Sequence, residues 1–225
     1  MIILSVSDFE GDYKQLWNLL KKSEEPDIFL MAGDMYNDGD PGHYGAIVEY
    51  LEKLKWKCPA LACLGNWDEG DRDEIRELCG NRVLLLEEES AKMKIKGKTA
   101  GVVGSIGCVD SFAWFLPGIW KDFYRERAEK IRQLLSGLGT DVKILLTHYA
   151  PSYQTLRGEN PNIYENLGYN GLEKILMETK TTFAVHGHAH FGVPLGFVGQ
   201  IPIFNAAFPA NSGLVKIDTD SLPKP

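Results

Sequence analysis

No apolar run in the sequence approaches the length of a membrane span, so no membrane partner is expected. Residues 1–7 are apolar but too few for a signal-peptide core, and no basic stretch precedes them; a soluble, cytoplasmic protein is expected. Cysteine is scarce. Cys58, Cys63, Cys79 and Cys108 show no CxxC pairing and sit mostly in apolar runs, which argues against a disulfide frame and reads as reduced core thiols. Positive charge is also short: 24 Lys and Arg against 31 Asp and Glu leave a formal net charge of −7. Extended nucleic-acid binding is therefore not expected, because phosphate contacts need clustered cations. A small phosphate-ester substrate remains open, since metal ions can attract it locally. There is no repeat of fixed period and no linker. With 44% hydrophobic residues, residues 1–225 are expected to form one domain around a sizeable core.

What is present is an alternation of β-prone runs and amphipathic helices. Residues 2–7, 27–32 and 59–64 read as buried strands. Between and after them lie helical patterns carrying Tyr13, Leu16, Trp17 and Leu20, then Tyr44, Ile47, Val48 and Leu51, then Ile75, Leu78 and Cys79. That rhythm predicts right-handed crossovers and parallel strands. From Arg82 it changes: runs at 83–86, 91–95 and 100–106, linked by short polar or glycine turns, predict hairpins. An aromatic-rich loop over 108–120 leads to a helix over 121–136 with Tyr124, Ala128, Ile131 and Leu135 inward. A strand at 142–147 delivers His148. The segment 149–169, rich in Pro, Asn and Gly, is long enough to predict a functional or covering loop. A helix over 171–177, a short strand before His186 and a tail of short strands complete the chain.

Of only five histidines, three fall in Val185-His186-Gly187-His188-Ala189-His190. Imidazole is the commonest side-chain metal ligand near neutral pH. Alone, the stretch reads equally well as a surface histidine cluster. Its company decides. Asp8, Asp34, Asn66, His148 and the His188/His190 pair each lie within a few residues of the C-terminal end of a predicted strand, the edge where open α/β sheets bind ligands. A carboxylate, carboxamide and imidazole set suits borderline divalent ions such as Mn²⁺, Fe²⁺, Co²⁺ or Zn²⁺. The set is too large for one ion and suits two.

The order Asp-x-x, Gly-Asp, Gly-Asn-x-Asp, His, Gly-His-x-His, spread over residues 8–190, resembles the calcineurin-like metallophosphoesterase superfamily. The resemblance implies a four-layer αββα sandwich, two mixed β-sheets flanked by helices, with two divalent metal ions at the strand ends: Mn²⁺ first, with Fe, Ni, Co or Zn as alternatives. It implies that Asp8, Asp34 and His190 hold one ion. Asp34 would bridge to the other, which Asn66, His148 and His188 complete. Asp34, Asn66, Asp68 and His148 are the candidate catalytic residues. His186 matches no ligand position and is expected to bond to backbone at a strand end.

Two departures bear on function. The first block usually reads Asp-x-His, and here it is Asp8-Phe9-Glu10; Glu10 is either a carboxylate ligand in the histidine's place, the reading we favour, or a residue supporting a ligand from behind. In the third block Trp67 replaces the histidine that in the family protonates the leaving group. An indole N–H cannot take that role. His43 is a substitute acid only if its loop folds back over the metals; the simpler expectation is an exposed residue at a helix start. Loss of the acid favours good leaving groups, and the extra negative charge of Glu10 favours a monoanionic diester over a dianionic monoester. The expected activity is a dinuclear phosphoesterase acting on phosphodiesters, less so on monoesters or pyrophosphates, through a metal-activated hydroxide. The rival is a weakened member of the fold serving as a binding scaffold. Trp67 suits that rival; the aromatic run 112–116 reads first as core packing, with a partner surface or a lid over the metals as alternatives, and retention of nearly all ligands favours the enzyme.

Overall fold

The computed structural model describes residues 1–9, 13–36, 40–111 and 117–225. Glu10 and the aromatic run 112–116 lie outside the described residues, as do residues 37–39 of the glycine-rich loop. The strands are β1 (Ile2–Val6), β2 (Ile28–Ala32), β3 (Ala60–Cys63), β4 (Val83–Leu85), β5 (Glu89–Ile95), β6 (Lys98–Ser105), β7 (Val142–Thr147), β8 (Phe183–His186), β9 (Leu195–Val198), β10 (Ile201–Asn205) and β11 (Val215–Asp218). The helices are α1 (Tyr13–Leu20), α2 (Gly42–Lys53), α3 (Arg72–Cys79), α4 (Pro117–Ser136), α5 (Tyr164–Leu167), α6 (Gly171–Glu178) and α7 (Phe208–Asn211).

Two sheets result, ordered β11-β1-β2-β3-β4 and β5-β6-β7-β8-β10-β9. Strands β1 to β4 are mutually parallel and β11 is antiparallel to β1; in the second sheet β6, β7, β8 and β10 are parallel, with antiparallel β5 and β9 at the edges. The central strands are apolar on both faces, and their period of two sorts the side chains into separate cores. From β2, Ile28, Leu30 and Ala32 enter the layer between the sheets, where Ile144 and Leu146 of β7 meet them. Phe29 and Met31 point the other way, beneath Leu16 of α1, Ile47 of α2 and Ile75 of α3. On the far side, Leu145 and Ala184 pack under Tyr124, Ala128, Ile131 and Leu135 of α4 and Leu172 and Leu176 of α6. Helices, sheet, sheet, helices: this is the αββα sandwich that the motif order implies.

Three local expectations change. The run at 83–86 is not part of a hairpin; β4 pairs in parallel with β3, and the hairpin is β5–β6. A strand of three residues with Val83 and Leu85 buried and Leu84 exposed closes the sheet as a short edge. The fourth helix begins at Pro117, four residues before the expected start, with proline in the first turn where its missing N–H costs nothing. The segment 149–169 is built, not loose. Two short 3-10 turns and α5 stiffen it, and Ala150 and Gly168 form a β-bridge.

Candidate metal centre

Five strands end at one edge of the sandwich, and each hands over a polar side chain within four residues. β1 leads to Asp8, β2 to Asp34, β3 to Asn66, β7 to His148, and β8 to His188 and His190. One donor atom from each of Asp8, Asp34, His148 and His188 lies within 4.8 Å of the others. The His148 ring is the meeting point. Its Nε2 is 2.9 Å from Asn66 Oδ1, 3.1 Å from Asp34 Oδ2 and 3.1 Å from His188 Nδ1. Its Nδ1 donates to the Ala32 carbonyl at 2.9 Å, which fixes the ring so that the other nitrogen faces the cluster. His190 Nε2 sits 3.1 Å from Asp8 Oδ1.

The carboxylates are oriented from behind. Asp8 Oδ2 accepts from the Ser7 hydroxyl at 2.6 Å and from the His188 backbone N–H at 2.9 Å, which turns Oδ1 toward His190. Asp34 Oδ1 accepts from the Trp67 backbone N–H at 2.9 Å, which leaves Oδ2 toward His148. Asp68 Oδ2 gathers three donors: Gly65 N–H at 2.7 Å, the Tyr44 hydroxyl at 2.8 Å and Asp34 N–H at 2.9 Å. Asp68 therefore ties the Asp34 turn to the Asn66 turn, with no histidine needed as an intermediary. Ser7 and Tyr44 escape sequence reading: a serine at a strand end and a tyrosine on a helix face carry no pattern that marks them.

The electrostatics fit a cationic guest. Asp8 and Asp34 are almost wholly buried, and buried carboxylates need a paired cation or a metal. Among the described residues the ion-pair partners of these two are histidines, with no Lys or Arg. Burial opposes charge on His148, yet Asp34 and Asp8 outweigh it and lift the ring to about 10. Burial also works against ionisation of Asp8, but the bond from His190 and the nearby His148 hold its carboxyl below the usual range. Burial first, then His148, pushes His188 down to about 3, the neutral state that a ligand nitrogen requires. Asp68 is pushed up to about 6 by burial and by Asp34.

His186 stands apart from the cluster. It is fully buried, its Nδ1 donates to the Gly187 carbonyl at 2.7 Å, and its Nε2 accepts from the Thr155 hydroxyl at 2.7 Å. His43 differs from expectation, since it is 3% exposed rather than open to solvent, with its ring 5.8 Å from Tyr36 edge to face. Trp67 is exposed beside Asn66.

Over 66 residues the chain is 39% identical to a protein of Synechococcus sp. described as a probable cyclic nucleotide phosphodiesterase, a match spanning 29% of this chain and 24% of that relative. Among solved structures, GAP50, described as the anchor in the inner membrane complex of Plasmodium, superposes with a TM-score of 0.59 at 13% identity, covering 93% of this chain and 72% of that one. A 5′-nucleotidase precursor from Thermus thermophilus gives a TM-score of 0.50 at 15% identity, covering 84% of this chain and 42% of that one. Residues 1–192 match the family described as calcineurin-like phosphoesterase, and with that match across most of its length the chain belongs to the calcineurin-like phosphoesterase family.

Proposed function

We propose that the chain, acting as a single unit over residues 1–225, is a dinuclear-metal phosphodiesterase of the cytoplasm. One observation carries the reading: Asp34 Oδ2, Asn66 Oδ1 and His188 Nδ1 all lie within 3.1 Å of one nitrogen of His148, a crowding of potential ligand atoms that a shared cation suits. In this reading Asp8, Asp34 and His190 hold one ion, with Glu10 joining them. Asp34, Asn66, His148 and His188 hold the other, with Mn²⁺ the expected metal. The four buried, unpaired thiols suit a reducing compartment.

When bound, the two ions supply Lewis acidity and a lowered pKa for water. The protein's own share is orientation. Ala32 fixes the His148 tautomer, Ser7 and the His188 N–H aim Asp8, and the Trp67 N–H aims Asp34. Residue 67 is an indole, which cannot serve as the leaving-group acid, and His43 is buried rather than open to a substrate. Leaving groups must therefore depart with little protonation, which favours diesters with acidic leaving groups and anhydrides over alkyl monoesters. The match to a protein described as a cyclic nucleotide phosphodiesterase supports the same substrate class.

The test is Mn²⁺ titration of metal-stripped protein, followed by turnover of bis(p-nitrophenyl) phosphate against p-nitrophenyl phosphate. Two ions and faster diester turnover are expected. Asp34→Asn should weaken both sites, and His148→Ala should weaken one and lower turnover by about 100-fold or more. Saturation at one ion, or a preference for the monoester, would sink the proposal.

A further inference from the structure

We propose that Trp67 and Phe191 form an aromatic rim that stacks a planar ring carried by the substrate, of the kind a single nucleoside phosphate bears. The proposal rests on the phosphoesterase reading above for the position of the phosphate. Exposed apolar side chains scattered singly need no explanation. These two are set apart by exposure and by sequence position. Phe191 at 76% and Trp67 at 61% are the most exposed large hydrophobic residues among those described. Each directly follows a residue of the proposed ligand set, His190 in one case and Asn66 in the other. The remaining exposed residues, Leu84, Phe123, Ile163 and Met177, follow none.

Both rings stand on tethered backbone. The Trp67 N–H donates to Asp34 Oδ1 at 2.9 Å, and its carbonyl accepts from the Tyr36 hydroxyl at 3.5 Å. The Phe191 N–H donates to Glu159 Oε1 at 2.8 Å, so the segment 149–169 anchors the second ring. Trp67 follows β3 of the five-stranded sheet and Phe191 follows β8 of the six-stranded sheet, so each sheet contributes one ring to the edge where the metal ligands meet. An aromatic side chain held in water beside a phosphate-binding centre offers a face on which any base can stack, because every base has a π surface. A single nucleotide suits the chain better than a polynucleotide, since the net charge is −7 and a long phosphate backbone needs clustered cations.

The probes are adenosine 5′-monophosphate and methyl phosphate, which share the phosphoryl group and differ in the ring. Both are titrated calorimetrically into Mn²⁺-loaded protein. The unmodified protein should bind the nucleotide roughly 5- to 150-fold more tightly than methyl phosphate, the range expected for stacking one base. Trp67→Ala and Phe191→Ala should each cut that ratio several-fold, while Trp67→Phe should keep most of it. A ratio near one in the unmodified protein, or a ratio that survives either alanine substitution, overturns the assignment. Turnover of bis(p-nitrophenyl) phosphate by the unmodified protein separates the two proposals. Turnover with a ratio near one rejects the rim alone, whereas a high ratio without turnover rejects the phosphodiesterase reading and leaves the rim standing.

Discussion

Removing the Asp68 carboxylate tests what joins the metal-binding turns. Its Oδ2 takes three donors, two of them backbone N–H groups of Gly65 and Asp34, while its Oδ1 is buried and has no hydrogen-bond partner among the described residues. Each bond to a charged acceptor is worth about 1.5–3 kcal/mol, so Asp68→Ala forfeits roughly 4.5–9 kcal/mol of gross interaction and strands two buried N–H groups. Relief of a buried carboxylate, several kcal/mol, offsets part of this. A net loss of about 3–5 kcal/mol follows, large against the roughly 5–15 kcal/mol that holds a typical domain together. Asp68→Asn keeps an acceptor oxygen and puts an amide where Oδ1 lacks a partner; its cost should be about 1–2 kcal/mol. Urea unfolding with m held constant reads the stability, and Mn²⁺ titration of the folded fraction reads the site. Both variants should bind metal more weakly in the same order as they lose stability, because the Asp34 turn is what Asp68 holds. An alanine variant that loses less than about 1 kcal/mol and keeps full metal affinity would show that the carboxylate does not tie these turns together.

A Cβ added at Gly187 would lie 2.5 Å from Asp8 Oδ2 and closer still to Ser7 Oγ, so Gly187→Ala should cost about 1–3 kcal/mol in urea unfolding and weaken Mn²⁺ binding; unchanged affinity in calorimetry would contradict the packing of that turn on Asp8. Burial holds His43 at about 4, whereas in an unfolded chain it titrates near about 6.5, so between those values the folded state binds fewer protons. Its contribution is intact above about pH 6.5 and falls as pH drops toward 4; His43→Gln should flatten that part of the melting-temperature profile, and parallel profiles would refute it. All four cysteines are buried, and burial pushes Cys79 and Cys108 up to about 12. A thiol reagent at pH 8 should therefore label none in the native protein and four after denaturation, and rapid labelling of any native thiol would contradict the buried placement.

The central strands were legible because each is apolar on both faces and bounded by turn residues, so both the period and the ends showed. The ligand cluster was legible because it lies just beyond those ends. The strand at 83–85 is where the sequence places it, but its partner is not, for a physical reason: three residues with alternating burial look the same whether they pair with the next strand or with one well before them, and only the parallel pairing with β3 decides. His43 misled in a similar way. A polar residue at a helix start, after a glycine-rich loop, reads as exposed, but the edge of Tyr36 and the packing of α2 cover it. The supporting bonds from Ser7, Tyr44 and the Ala32 carbonyl were not legible at all, because they depend on which strand ends lie side by side.

The motif letters themselves follow from how tightly those ends are pressed together. Asp8, Asp34 and His188 have φ of 52, 50 and 65°, the left-handed region that costs an ordinary side chain energy and that Asp and His tolerate better than most. Each stands two residues beyond the end of its strand, in the turn that brings its side chain to the shared cluster. Gly33, at φ 84°, comes so near the next turn that a Cβ there would lie 2.5 Å from the Gly65 nitrogen, and this approach lets Asp34 and Asn66 reach the same nitrogen of His148. Gly65 leaves no room for a side chain against the Asp34 carboxylate, Asn66 meets His148 through its amide oxygen, and Asp68 collects three donors. Trp67 contributes to the centre only through its backbone N–H, donated to Asp34, a service any residue but proline could perform. Its side chain is the one part of that turn which the metal centre does not dictate, and so the part left open to be chosen by what the centre binds.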